Sequence, residues 1–151
     1  MNRRTEPLDP ETIVGQHFPL HGPYNEDLTY AAGGTLYETV RYFNYATGQG
    51  AQTALPYAST ASHLVSNIHG AVAMLDQTFR QFEQRCVDFA GDPTLYDATN
   101  RRGGHQAAVN RASSAHAALE EAQQHAARLV AALARAHSDL NALGHSDGGE
   151  A

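Results

Sequence analysis

The sequence predicts an all-α protein: an elongated antiparallel bundle of three main helices behind an extended N-terminal arm. Three observations predict it. Residues 110–143 contain neither Pro nor Gly and are about one third Ala, the best helix-forming residue. Apolar residues recur every seven positions along two long stretches, the signature of a coiled-coil-like helical seam. Pro and Gly cluster between these stretches, where turns belong.

Residues 1–24 carry Pro7, Pro10, Gly15, Pro19, Gly22 and Pro23, so the reading there is an irregular arm. The first helix is expected over 25–47. Asn25 is a good N-cap, and Glu26 and Asp27 complement the positive end of the helix dipole. Ala32, Leu36, Val40 and Phe43 make one apolar face. Gly33-Gly34 interrupts the run, and Thr35 with Glu38 fits a capping box, so a start at Thr35 is the competing expectation.

The second helix is expected over 54–90, with Pro56 tolerated in its first turn. Val65, Val72, Phe79 and Cys86 fall seven apart. So do Ala61, Ile68, Leu75, Phe82 and Phe89, offset by three. Gly91 suits a left-handed C-terminal cap, and "NRRGG" at 100–104 reads as a loop. The third helix is expected over 105–143. Ala112, Leu119, Ala126, Leu133 and Leu140 form one seven-residue row, and Ala115, Ala122, Leu129, Ala136 and Leu143 form the second. The expected seam therefore sets Val65, Ile68, Val72, Leu75, Phe79 and Phe82 against Leu119, Leu129, Leu133 and Leu140. Large side chains on one helix meet Ala on the other, which fills facing layers and brings the axes close. At 1.5 Å per residue the two helices are about 50 and 60 Å long. Residues 145–151 read as a disordered acidic tail. A bundle this thin leaves apolar surface uncovered, and the expectation is a homo-oligomer.

Composition excludes several chemistries. All 10 basic residues are Arg and 16 residues are acidic. Without Lys there is no Schiff-base lysine and no GxxxxGK phosphate loop. One cysteine, Cys86, allows neither an internal disulfide nor a multi-cysteine metal site. The absence of Trp argues against small secreted hairpins with a Trp-x-Gly turn. The start, "MNRRTEPLDPETIVG", has no apolar run to make a signal peptide, and no apolar stretch approaches 18 residues. A cytoplasmic location with no membrane association is the expectation. Abundant Ala, Gly and Arg without Lys fits a GC-rich, actinobacterial source.

No two of the nine His are spaced i, i+4 on a helix; His17 and His21 are, but in the arm. His116, His137 and His69 are expected to flank the seams as partly solvated residues, so no metal is expected. Tyr37, Tyr42 and Tyr45 are candidate ligand contacts, an aromatic platform weighed against rings packed in the core with hydroxyls at its rim. Arg101 and Arg102, beside Gly103-Gly104 and ahead of a helix N-terminus, are candidate anion contacts. Nucleic acid is disfavoured, since the chain is acidic and has no basic stripe. Cys86 reads as a buried, inert thiol. No GxSxG elbow or paired carboxylates appear, so no catalytic residue and no cofactor is expected.

The stretch "ETVRYFNYATGQGAQTALPYASTASHLVSNIHGAVAML", Glu38 to Leu75, followed by an Ala-rich last helix, resembles a group of small actinobacterial proteins often found near mobile elements. These carry a "VRxxNxAT" helix end, a short linker and a Pro-Ser/Thr helix start. The resemblance covers about two thirds of the chain and implies the helix boundaries and the source. It implies no active site. The functional expectation is a non-enzymatic interaction or assembly protein, self-associating or docking a protein partner through a helix face. The alternatives are a small-ligand or metal-binding bundle and an accessory nucleic-acid binder using Arg101 and Arg102.

Overall fold

The computed structural model describes residues 8–144; the expected acidic tail, 145–151, lies outside them. Among the described residues there are helices and turns but no strand. The chain divides after Ala54 into two compact units.

The first unit carries three helices: α1, Pro10–His17; α2, Glu26–Thr47; and α3, Ala51–Ala54. α1 occupies a stretch expected to be irregular. Asp9 caps it, its carboxylate accepting from the amides of Glu11 and Thr12 at 3.3 and 3.2 Å, and Pro10 stands in the first turn. Pro here starts a helix, because its missing N–H is one that needs no partner at that position.

α2 begins after Asn25, whose side-chain oxygen accepts from the Leu28 amide at 2.8 Å. The helix runs unbroken through Gly33-Gly34. The competing start at Thr35 is not used: the Thr35 hydroxyl donates back to the Ala31 carbonyl at 2.8 Å, as a residue inside a helix does. The two glycines cost this helix propensity, and the cap at Asn25 and the continuous backbone ladder outweigh that cost.

The second unit is a helical hairpin of α4, Ala58–Ala90, and α5, Gly104–Asn141, which pack together along their length. Pro56 lies before α4 and not in its first turn; Tyr57 is the N-cap residue. Gly91 ends α4 with φ −81° and ψ −11°, so the left-handed cap expected there is absent. Its N–H reaches the carbonyls of Val87 and Asp88, both at 3.2 Å, a tightened last turn that satisfies the same orphan carbonyls. A loop then leads to a 3₁₀ turn, Arg101–Gly103, and into α5.

Gly103 and Gly104 are both required at that corner. A Cβ on Gly103 would lie 2.5 Å from the Ala107 Cβ and 2.8 Å from the Asn100 Nδ2. Gly104 has φ +62° and ψ −163°, a region accessible essentially to glycine alone.

Candidate interaction surface of the helical hairpin

Two hydrogen bonds fix the direction and register of the hairpin. The Ser62 hydroxyl lies 2.9 Å from the His137 Nδ1, and the Gln123 Nε2 donates to the Asp76 carboxylate at 2.6 Å. Ser62 and Asp76 are two heptads apart on α4, and Gln123 and His137 are two heptads apart on α5 in the reverse sense. The helices are therefore antiparallel, without slippage between the two bonds. The same register sets His69 level with Val130, and Glu83 level with His116.

These bonds show which faces meet. One expected row on each helix lies in the seam. Val65, Val72, Phe79 and Cys86 on α4 are half-buried, as are Ala112, Leu119, Leu133 and Leu140 on α5, and Ala126 is only 9 % exposed. The second row is not the expected one. Beside the first row lie Ser62, His69, Asp76 and Glu83 on α4, and His116, Gln123, Val130 and His137 on α5, all buried or half-buried. Ser62 is 2 % exposed. The seam thus has an apolar row and a mostly polar row. The three His expected to flank the seams, His69, His116 and His137, belong to that polar row.

The apolar row expected at offset three is displaced to the outside. Phe82 is 52 % and Leu129 48 % exposed, and Phe89 stands out similarly; Ile68 and Leu75 are half-buried on the shoulder. The reason is angular. Offsets of three and four lie on opposite sides of a row, about 100° apart at 100° per residue. A seam between only two helices uses one of them. Here the side with offset four turns inward, where Ser62–His137 and Asp76–Gln123 satisfy its polar groups, and the side with offset three is left over. Phe82 and Leu129 are therefore surface residues of the hairpin and not seam residues.

In an antiparallel pair the outer rows of both helices fall on the same side. A groove of about 540 Å³ confirms this at the hairpin tip. Its floor includes Cys86, Phe89, Ala108, Ala112 and Ala115, and the loop carrying Leu95 and Tyr96 forms its wall. Cys86, Ala90, Ala112, Ser113 and His116 line a smaller groove of about 330 Å³ on the opposite side. Beside it Glu83, level with His116, carries a buried Oε1 with no hydrogen-bond partner among the described residues.

Asp97 holds the tip loop to α5. It is 9 % exposed and accepts from the Thr99 hydroxyl at 2.7 Å, the Thr99 and Asn100 amides at 2.8 and 3.1 Å, and the Arg111 Nε at 3.0 Å. The Thr99 hydroxyl first, and then the Arg111 guanidinium, hold its carboxyl well below the usual carboxylate range. Nothing in the sequence spacing pointed to this node.

The other candidate contacts are dispersed. The Arg101 guanidinium lies 5.3 Å from the centre of the Tyr96 ring, a cation–π contact, and Arg102 is exposed. Tyr37, Tyr42 and Tyr45 are all exposed on α2. At 100° per residue they fan around α2 and form no flat platform; the ring partner of Tyr42 is Phe43, at 6.3 Å. Among the described residues no three His, Cys, Asp or Glu are grouped to hold a metal ion, and no helix is long and apolar enough to cross a membrane.

Comparison with known protein families, with curated proteins and with solved structures finds no match.

Proposed function

We propose that this is a non-enzymatic interaction or assembly protein, working through the outer apolar face of the α4–α5 hairpin. One observation carries the reading. The hairpin keeps polar side chains in its seam and leaves Phe82, Phe89 and Leu129 outside. Among the described residues the buried apolar side chains are Ala108 and Ala126, so the large apolar side chains of the hairpin keep surface that a partner can cover. An apolar face of this kind marks a contact with another polypeptide. Native mass spectrometry of the protein purified without added metal tests the reading. An assembly, or a complex with a protein partner that Phe82→Glu abolishes, is the expected result. Non-protein mass on a single chain overturns it.

Two observations favour other coverings of the same face. On α2, Leu28, Ala32 and Phe43 are half-buried while Leu36 and Val40, in the same stripe, are exposed. A bundle of three main helices, with α2 as the third, would use that stripe, and it predicts a stable monomer. The 540 Å³ groove favours a small apolar ligand, which would raise the melting temperature on binding.

A further inference from the structure

We propose that the occupant of the outer face is a second copy of the same hairpin, related by a two-fold axis parallel to the helices, so that α4 of each protomer packs on α5 of the other. The proposal rests on the reading of the outer face as an interaction surface and names its partner.

Self-complementarity of the rows carries it. In the register fixed by Ser62–His137 and Asp76–Gln123, the outer rows pair level by level. Phe89 stands beside Ala108, Phe82 beside Ala115, Leu75 beside Ala122, Ile68 beside Leu129, and Ala61 beside Ala136. In three of these five layers a large residue on α4 adjoins Ala on α5. Turned face to face about an axis along the helices, two such faces make, in these three layers, rings of four residues in which large and small alternate. This arrangement fills space without clash. An axis across the helices at the middle layer instead sets α4 on α4 and α5 on α5, so that Leu75 faces Leu75, Phe82 faces Ile68 and Ala122 faces Ala122. The chain's own pairing therefore selects the parallel axis.

The margins of the face agree. The next positions out are Leu64, Ala71 and Thr78 on α4 and Ala118, His125 and Ala132 on α5; Arg85, Arg111 and Asp139 stand toward its ends. Arg85 and Arg111 are already paired, with Asp88 at 2.8 Å and Asp97 at 3.0 Å. From Ala61 to Phe89 the face is about 42 Å long, and two adjacent helices are about 20 Å wide. Covering it removes about 800 Å² from each partner, the size of a standard stable interface.

Ala115→Glu tests the proposal cleanly. Ala115 is exposed on the chain itself, so the variant folds with unchanged helix content and the dimer dissociates by at least a hundredfold. Met74→Glu, on an exposed position away from the face, leaves the dimer intact. Orientation is read by cysteine pairing in a Cys86→Ser background. Thr78 and Ala118 lie at opposite margins of one chain's face and meet only across the parallel two-fold. The double variant Thr78→Cys with Ala118→Cys oxidises to a covalent dimer, and each single variant does not. A chain that stays monomeric at micromolar concentration overturns the proposal and leaves docking of a different protein standing. A dimer indifferent to Ala115→Glu overturns it and leaves self-association through another face. Covalent dimers from Thr78→Cys alone overturn the orientation.

Discussion

The division of α4 into an inward and an outward aromatic side can be measured. Phe79 lies in the seam and Phe82, one turn on, lies 52 % exposed. Full burial of a Phe side chain is worth about 1.5–3 kcal/mol, and truncating a core Phe to Ala costs about 3–5 kcal/mol once the cavity is included. Phe79 is half-buried between the helices, so Phe79→Ala should cost the hairpin about 2 kcal/mol. Phe82 has lost only half its area to the chain and leaves no enclosed cavity, so Phe82→Ala should cost the same hairpin less than about 1 kcal/mol. Both are compared in the Ala115→Glu background, which removes any contribution from a second copy. For a two-state unit of this size, about 1 kcal/mol moves the melting temperature by 4–8 °C. Thermal melts followed by far-ultraviolet circular dichroism should therefore separate the two variants by at least that much. Equal losses, or a larger loss for Phe82→Ala, would refute the assignment of the two rows.

Three further outcomes follow. Glu83→Leu removes the buried, unpartnered Oε1 and should stabilise the hairpin by about 1 kcal/mol in urea unfolding; a loss of stability would mean that the carboxylate has a partner. Gly103→Ala drives a methyl to 2.5 Å from the Ala107 Cβ and should destabilise by about 1–3 kcal/mol, seen as a lower urea midpoint at unchanged slope. The depressed carboxyl of Asp97 favours the folded state whenever it is ionised. Its contribution is complete above the ordinary aspartate value of about 3.9 and is lost as the pH falls toward the lower folded value. Asp97→Asn should therefore lower stability at pH 7 and flatten its fall below pH 4, and an unchanged acid limb in the variant would count against the assignment.

Much of the architecture was legible in the residues. The cap at Asn25, the break around residues 48–57, the stop at Gly91 and the long Ala-rich helix all follow from local chemistry, and the structure places helix ends close to each. Two local readings failed because one residue carries two meanings. Pro10 was read as punctuation, yet after Asp9 it opens α1. Gly91 was read as left-handed, yet α4 ends in a tightened right-handed turn. One row of the seam lies where it was expected, and the other differs for a different reason. Offsets of three and four both place residues beside a row, and apolar content alone favours the wrong side. The polar series Ser62, His69, Asp76, Glu83 was present at the same spacing, but its worth depends on His137 and Gln123 standing opposite. That pairing is tertiary, and so is the Asp97–Arg111 node across the tip loop. The outer apolar face was visible as residues but assigned to the interior: Phe82 and Leu129 are apolar where expected and stand exposed.

We propose that the leftover apolar row is covered by another polypeptide. The most direct test is the solution mass of the native chain beside Ala115→Glu, measured by light scattering at micromolar concentration. Twice the 16.2 kDa chain mass for the native protein and a single, fully helical chain for the variant is the predicted result. A native protein at 16.2 kDa that binds no protein partner, with a melting temperature that Phe82→Glu leaves unchanged, would contradict it.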